Sequence, residues 1–571
     1  MSNEQMELRR WLQEVTDPEL AAELLAIRNE EKEVHERFYR SLEFGTGGLR
    51  GALGAGTNRM NLYTVRQATQ GFADYLLSQN AAPSVAISYD SRHKSELFAR
   101  ETARVMAASG VKVYLYRQLM PTPALSFAVL DRRCDGSVMI TASHNPARYN
   151  GYKAYAGDGA QISGEIAAAV SAAIEKTDIF RDVRLMDFEE ALASGAIEYI
   201  DDALIERYYA AVAAQALRPE LAKTAGLRLV YTPLNGAGLR PVLTVLGRMG
   251  HTDITVVPEQ EQPNGDFPTC PYPNPEILEA MQLGLKLAEQ RGADLLLATD
   301  PDSDRVGTAV LHHGKPRLIS GNEMGVLLLD YLCRTRLELG RMPQNPVAVR
   351  SIVSTTMADA VAAHYGVEMR QVLTGFKYIG EQIARLEAEG HPERFLFGFE
   401  ESYGYLAGGY VRDKDAVVAS MLICEMAAWY KSRGKNLGEA MDDLYAQYGA
   451  YFNQVDSYTF PGSDGMAQMA ALMQQLREAP LTALAGRPVT GHTDYQAGVR
   501  CEEGEGETPT GLPSANVMEF RFGTEGSVVV RPSGTEPKLK LYYSLRAADR
   551  AAAEQAYAGI RAAMEGVLGL G

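Results

Sequence analysis

The sequence lacks a positive charge excess, a membrane-length apolar run, paired cysteines and any low-complexity tract. Its 56 Lys and Arg face 72 Asp and Glu, a formal net charge of −16. Phosphate backbones call for a basic face, so no nucleic-acid partner is expected. The longest apolar stretch, Ala416–Tyr430, is interrupted by Ser420 and Glu425. It falls short of the ~20 residues that cross a bilayer, so it reads as a buried helix and no membrane partner is expected. Five cysteines (134, 270, 333, 424, 501) form no CxxC pair and read as free, mostly buried thiols of a reducing compartment. The N-terminus is polar and acidic, unlike a signal peptide, and the expected location is cytoplasmic. Without Pro/Gly-rich tracts and with 46% hydrophobic residues, 571 residues can bury several cores. At ~150 residues per core, about four domains are expected.

Several catalytic signatures are absent too. There is no GxSxG elbow and no GxxxxGK[ST] loop, and Gly45-Thr-Gly47-Gly-Leu-Arg50 puts arginine where a dinucleotide loop needs its last glycine. Neither ATP nor NAD is indicated.

What is present is an alternation of short apolar runs with stretches of helical period. A charged helical segment covers the first forty residues, with Asp17-Pro18 as a helix start. Val85–Tyr89, Val111–Tyr116 and Ser137–Thr141 then read as strands, and Glu96–Ala108 as a helix. A second block has strands at Leu227–Thr232, Ile254–Val257 and Leu295–Thr299. A third has strands at Val347–Ile352 and Phe395–Phe399, with helices at Glu323–Leu332 and Ala416–Tyr430. Beyond Phe452, strands at Val528–Arg531 and Lys538–Tyr543 lie between helices near 465–477 and 550–566, while acidic Cys501–Thr510 reads as an exposed loop. The expected fold is three mixed or parallel-sheet α/β domains plus a smaller C-terminal α+β domain around a central cleft. The expected boundaries are 1–43 for the helical extension, then 44–200, 201–320, 321–450 and 451–571.

Ligands of open α/β sheets bind beyond the carboxyl ends of strands. Four loops stand out there. Thr-Ala-Ser-His-Asn-Pro, 141–146, holds Ser143 on a bend enforced by Asn145-Pro146. Ser143 and His144 are neighbours and make no triad, since adjacent side chains seldom hydrogen-bond each other. Asp-Pro-Asp-Ser-Asp-Arg, 300–305, sets three carboxylates at alternate positions, a hard oxygen site suited to Mg²⁺. The calcium-hand pattern fails, because Arg305 and Leu311 stand where it needs Gly and Glu. Gly-Phe-Glu-Glu-Ser-Tyr-Gly, 398–404, can exchange hydrogen bonds with vicinal sugar hydroxyls. Arg-Pro-Ser-Gly-Thr-Glu-Pro-Lys, 531–538, offers Arg531, Ser533, Thr535 and amides around Gly534 as a phosphate cradle, with Lys538 and Lys540 adding charge. A nucleophile, a metal site, a sugar contact and a phosphate dock are the parts phosphoryl transfer requires. Local positive charge is supplied by Arg50, Lys153, Arg305, Lys377, Lys414 and Arg531.

From roughly Phe44 to the C-terminus, with all four loops in order, the sequence resembles the α-D-phosphohexomutases, the phosphoglucomutase and phosphomannomutase family. The resemblance implies that Ser143 is a phosphoserine. It implies Asp300, Asp302 and Asp304 as Mg²⁺ ligands, with the Ser143 phosphate as the fourth and Arg305 against that phosphate. It implies sugar contacts from Glu400 and Ser402, and binding of the non-reacting phosphate by Arg531, Ser533, Gly534, Thr535 and Lys540. Arg50 and Lys153 match basic residues beside the phosphoserine, Thr374-Gly-Phe-Lys377 a sugar-ring loop, and Lys414 an acid/base lysine. The sequence departs from the glucose enzymes at 405–411, Tyr-Leu-Ala-Gly-Gly-Tyr-Val. The implied reaction interconverts glucose 1-phosphate and glucose 6-phosphate through phospho-Ser143, with glucose 1,6-bisphosphate as intermediate and activator. A phosphopentomutase or phosphomannomutase by the same route, and a catalytically silent sugar-phosphate sensor, are the alternatives. A monomer or small homo-oligomer is expected.

Overall fold

The computed structural model describes residues 2–45, 47–460, 464–504, 506–533 and 538–570. Three helices open the chain: α1 (Asn3–Glu14), α2 (Pro18–Ile27) and α3 (Glu31–Phe38). Asp17 starts α2 as its sequence signals, its Oδ1 accepting from Leu20 N at 2.9 Å with Pro18 in the first turn. Trp11 of α1 is fully buried and meets the rings of Phe38, Tyr63 and Phe180 edge-on, with centroids 5.8, 5.8 and 5.5 Å away.

The chain folds into two compact units. One comprises Met1–Ser320, Ile379–Phe395 and Tyr403–Asn436; the other comprises Gly321–Tyr378, Leu396–Ser402 and Leu437–Gly571. The first unit contains two mixed sheets. In one, β1 (Gly48–Ala52), β2 (Ser84–Tyr89), β3 (Lys112–Leu115), β4 (Gly136–Ile140), β5 (Tyr149–Ala156) and β6 (Ile197–Tyr199) take the order β1-β5-β4-β2-β3-β6. Strands β4, β2, β3 and β6 run parallel, while β5 and β1 close the edge antiparallel. In the other, β7 (Leu229–Thr232), β8 (Ile254–Val256), β9 (Leu295–Thr299), β10 (Val306–His312) and β11 (Lys315–Ile319) take the order β11-β10-β9-β7-β8. Strands β4 and β9 are buried along their whole length, so their carboxyl ends deliver the next residues at the rim of a packed core. The helix Ala416–Lys431 belongs to this unit, and all of 416–430 is buried as the sequence predicts.

In the second unit β12 (Val347–Ser351) runs parallel to β13 (Glu368–Val372), with β14 (Phe395–Glu400) on the other side of β12. Gly404–Ala407, in the first unit, is β15, and β17 (Ala483–Leu484) pairs with β18 (Arg487–Pro488). In the last stretch of the second unit, β16 (Ala450–Thr459), β19 (Gly491–Asp494), β20 (Val499–Glu502), β21 (Gly506–Pro509), β22 (Met518–Arg521), β23 (Gly526–Pro532) and β24 (Lys538–Ala547) form a seven-stranded antiparallel sheet in the order β16-β24-β23-β22-β19-β20-β21. Helices Gly465–Glu478 and Arg550–Leu568 pack on it.

One expectation is overturned here. Cys501–Thr510 is not a loop: β20 and β21 pair as a hairpin, Val499 opposite Pro509 and Glu502 opposite Gly506. The cysteines are free as expected, four of them buried and Cys501 half-buried. Burial pushes the Cys134 thiol up to about 11 and those of Cys270 and Cys333 up to about 12. Among the described residues, no helix is long and apolar enough to cross a membrane.

Candidate active site

Ser143 leaves β4 in the left-handed backbone region, at φ 51°, and is 4% exposed. A residue with a Cβ adopts this conformation only where its surroundings compel it. Three side chains do so. Thr141 Oγ1 accepts from Ser143 N at 2.8 Å and donates to Asp90 Oδ2 at 2.6 Å. Asp90 in turn accepts from Ser95 Oγ and Arg92 N. The Arg92 guanidinium donates to the carbonyls of Ser143 (3.2 Å), Pro146 (3.0 Å) and Tyr149 (3.1 Å), and to that of Asn145. Asp90 and Arg92 follow directly on β2. The strand-end rule that located Ser143 points to them equally, but no motif marks them, and sequence reasoning passed them over.

Ser143 Oγ donates to Asp300 Oδ2 at 2.9 Å and lies 3.1 Å from His144 Nδ1. The close Ser143–His144 pair corrects the expectation that neighbouring side chains would not meet. The left-handed turn brings them together. It does not make His144 a base, because the hydroxyl's one hydrogen is committed to Asp300. Burial, then the Arg305 and Arg50 charges, hold the imidazole well below its usual 6.5, and so neutral.

The three aspartates of the 300–305 loop are all buried, with a carboxylate oxygen from each within 4.8 Å of the others. Asp300 Oδ1 accepts from the backbone N–H groups of Asp304 (3.1 Å) and Arg305 (3.0 Å), which curls the loop round it. Lys153 Nζ lies 2.8 Å from Asp302 Oδ2, which also accepts from Thr122 Oγ1 at 2.9 Å. Lys414 Nζ lies 3.0 Å from both Asp304 Oδ2 and Asp413 Oδ1, and Tyr155 OH donates to Asp413 Oδ2 at 2.9 Å. Burial and the Asp302 and Asp304 charges raise Asp300 well above the carboxylate range. Burial opposes charge on Asp302 as well, but Lys153 outweighs it and holds that carboxyl low. Burial likewise pulls Lys153 down, and Asp302 with Asp304 more than restores it.

Two oxygens of this cluster, Asp302 Oδ1 and Asp304 Oδ1, are buried without a hydrogen-bond donor. An orphaned buried carboxylate oxygen is costly, and oxygen-only ligands suit a hard divalent cation. The residues therefore fit Mg²⁺. Arg305 reaches Glu276 Oε1 at 2.7 Å, and exposed Arg50 donates to Asn145 Oδ1 at 3.2 Å. Lys153, Lys414, Arg50 and Arg305 thus ring Ser143 and the aspartates within the first unit.

The remaining candidates lie in the second unit. Glu400, at the end of β14 and 5% exposed, accepts from Gly375 N at 2.7 Å, which ties the Thr374–Lys377 loop to the 398–404 loop. Glu401 instead turns towards β12, accepting from Ser351 Oγ at 3.1 Å. Lys377 lies over the Tyr378 ring, 4.9 Å from its centroid, and Ser402 is half-buried. Arg531 and Lys540 are directly opposed across β23 and β24, so both cations project from one face. Arg531 Nη1 donates to Tyr542 OH at 3.5 Å; burial, then the Glu401 charge, push that phenol up to about 12. Ser533 N donates to Lys538 O at 2.7 Å. Gly534 and Thr535 lie outside the described residues. Asp413, Thr122 and Tyr542 were not found from sequence, and no spacing signals them.

Comparison with known proteins gives one answer along the chain. Descriptions of the phosphoglucomutase/phosphomannomutase alpha/beta/alpha domains I, II and III match residues 41–180, 206–314 and 320–448, and that of the C-terminal domain matches 498–558. A phosphoglucomutase of Staphylococcus epidermidis is 37% identical over 516 residues, covering 90% of this chain and 92% of that protein. One from Staphylococcus aureus is 35% identical over 517 residues, covering 90% and 91%. In fold, the chain is similar to a putative phosphomannomutase from Thermus thermophilus (TM-score 0.66, 23% identity, 93% and 99% covered). It is also similar to parafusin, a phosphoglucomutase of Paramecium (TM-score 0.69, 16% identity, 93% and 95% covered).

Proposed function

The chain belongs to the phosphoglucomutase/phosphomannomutase family, and we propose that it interconverts glucose 1-phosphate and glucose 6-phosphate through a phosphoryl group carried on Ser143. The observation that supports this reading most is the 2.9 Å approach of Ser143 Oγ to Asp300 Oδ2, beside carboxylate oxygens that have no donor. It joins a nucleophile to a cation site, as phosphoryl transfer requires. Relatives named phosphoglucomutase over nine-tenths of the chain favour glucose over mannose or pentose phosphates.

Asp300, Asp302 and Asp304 would hold Mg²⁺ together with an oxygen of the Ser143 phosphoryl group. The bound ion supplies charge neutralisation at the transferring group. Arg92 and Thr141 hold Ser143 so that its Oγ faces the aspartates. Lys153 and Lys414 exchange a proton with the attacking or leaving sugar hydroxyl, and the carboxylates they touch keep both ammonium groups in place. Arg50 and Arg305 spread charge on the phosphoryl oxygens. Thr374, Lys377, Glu400 and Ser402 contact the sugar, while Arg531, Ser533, Gly534, Thr535 and Lys540 hold the phosphate that is not reacting. The phosphoryl group leaves Ser143 Oγ for the free hydroxyl of the sugar monophosphate, which gives up its proton, and the bisphosphate so formed turns over and returns its other phosphoryl to Ser143. The division at residues 43, 200, 320 and 450 belongs to the same reading, as does a cytoplasmic location.

The test has two arms. Incubation with glucose 1,6-bisphosphate should add one phosphate by intact mass, and the Ser143→Ala variant should take none and lose turnover while keeping its circular dichroism spectrum. Full turnover in that variant would sink the mechanism. Of glucose, mannose and ribose 1-phosphates, glucose should show the highest kcat/KM; a preference for either of the others removes the glucose assignment.

A further inference from the structure

The helices α1–α3 precede every loop with assigned chemistry, yet they reach the turn that follows the strand carrying Arg50. Arg37, in the last turn of α3, donates from Nη1 to Glu23 Oε1 at 2.6 Å and to Ala55 O at 3.1 Å. Glu23 Oε2 accepts from Ala55 N at 2.8 Å. The ion pair therefore satisfies both backbone groups of Ala55, as a neighbouring strand would, and Ala55 is fully buried. The main chain of α3 adds to the grip. Arg37 O accepts from Asn58 N at 3.0 Å, and Glu36 O from Asn58 Nδ2 at 2.9 Å. Glycine makes the approach possible: a Cβ on Gly56 would sit 2.7 Å from Arg37 O, and one on Gly54 2.8 Å from Glu23 Oε1.

The turn so held is the direct continuation of β1. Met60 N donates to Ala52 O, and Leu53 N to Arg148 O, both at 2.8 Å. Arg50 stands opposite Gly151 of β5, two residues from Lys153, and donates to Asn145 beside Ser143. Trp11, Leu24 and Phe38 also pack with Ala55, Leu62 and Tyr63 in one apolar cluster, which docks the helices without direction. A directional pair that takes both backbone groups of one residue in the turn after β1 adds a constraint on register that apolar packing does not.

We infer that Glu23 and Arg37 are positioning residues that set β1, and hence the Arg50 guanidinium, against the phosphoserine loop. The inference rests on the role of Arg50 given above. A charge-stabilising group displaced by about 1 Å loses much of its effect on the transition state.

The test uses the full chain with Arg37→Ala, Arg37→Lys, Glu23→Gln and Arg50→Ala. Arg37→Ala should lower kcat about tenfold with KM for glucose 1-phosphate changed less than about twofold, and Arg37→Lys should recover most of the loss. In the Arg50→Ala background Arg37→Ala should cost nothing further, since the two act as one unit. Hydrogen exchange should quicken over 48–60 and 141–150 in Arg37→Ala. Unchanged kcat per folded molecule, or fully multiplicative losses in the double variant, overturns the inference. If Arg37→Ala does not fold, Glu23→Gln reads the same outcomes, with a loss of about threefold expected. If the native chain is inert on every sugar phosphate, the proposed activity fails and the exchange data alone decide whether the pair holds β1.

Discussion

A guanidinium that donates to four main-chain carbonyls immobilises a loop much as a paired strand would, and Arg92 does this for residues 143–149. Arg92 itself is 3% exposed and lies over the Phe267 ring, 5.0 Å from its centroid. A buried titratable residue of another kind contributes to the acid response. His251, at the end of helix Leu239–Met249, is held down to about 4 by burial, and its Nδ1 is buried without a hydrogen-bond partner. Below its usual 6.5 the unfolded chain binds a proton that the folded chain refuses. Stability is thus fully present above about 6.5 and is lost as pH falls towards about 4. Between pH 7 and 4.5 the native chain should lose about 2 kcal/mol more than His251→Gln, measured by urea unfolding. An equal loss would place the sensitivity elsewhere. Ser143 and the three aspartates were legible because their spacing is local and their chemistry unusual. Arg92 and Asp413 were not, because an arginine that clamps carbonyls and an aspartate that holds a lysine look like any charged residue until the chain has folded.

At the scale of elements, the helix Gly321–Glu338 shows where propensity and packing disagree. Alanine at Gly325 would favour the isolated helix by ~1 kcal/mol. Its Cβ, however, would lie 2.2 Å from the ring of Phe399, which is fully buried on β14. Overpacking of this kind costs ~1–3 kcal/mol. Gly325→Ala should therefore lower the thermal midpoint, and because Glu400 follows Phe399, raise KM for the sugar phosphate more than it lowers kcat. A stabilised variant with unchanged KM would refute this. The strands that deliver Ser143 and the aspartates could be read from sequence because they are short runs of mostly apolar residues without charge. The hairpin of β20 and β21 could not: β20 is only half-buried and β21 fully exposed, so no alternation of apolar and polar residues records them. Glu507 and Pro509 on β21 suit an edge that must not recruit another strand.

Across the whole molecule, local periodicity identifies elements but not the core each one joins. The first unit takes 379–395 and 403–436 from a stretch whose flanks, 321–378 and 396–402, belong to the second. No sequence pattern marks those crossings. Net charge is informative at this scale, because a chain of −16 gathers three of its carboxylates in one buried cluster and offsets them with Lys153 and Lys414. Saturating Mg²⁺ should accordingly stabilise the native chain, by ~2.7 kcal/mol at a hundred times its Kd. The thermal midpoint should rise with Mg²⁺ in the native chain, fall back with EDTA, and stay flat in Asp302→Asn. A rise of equal size in that variant would place the ion elsewhere. The distribution of sulfur has a practical corollary. Folded, the chain offers a thiol reagent one half-accessible sulfur, Cys501 on the outlying hairpin, while the other four are buried. Unfolded, it offers all five. A chromogenic thiol count would therefore report the folded fraction without added dye or tag, and a single maleimide would label the C-terminal sheet alone.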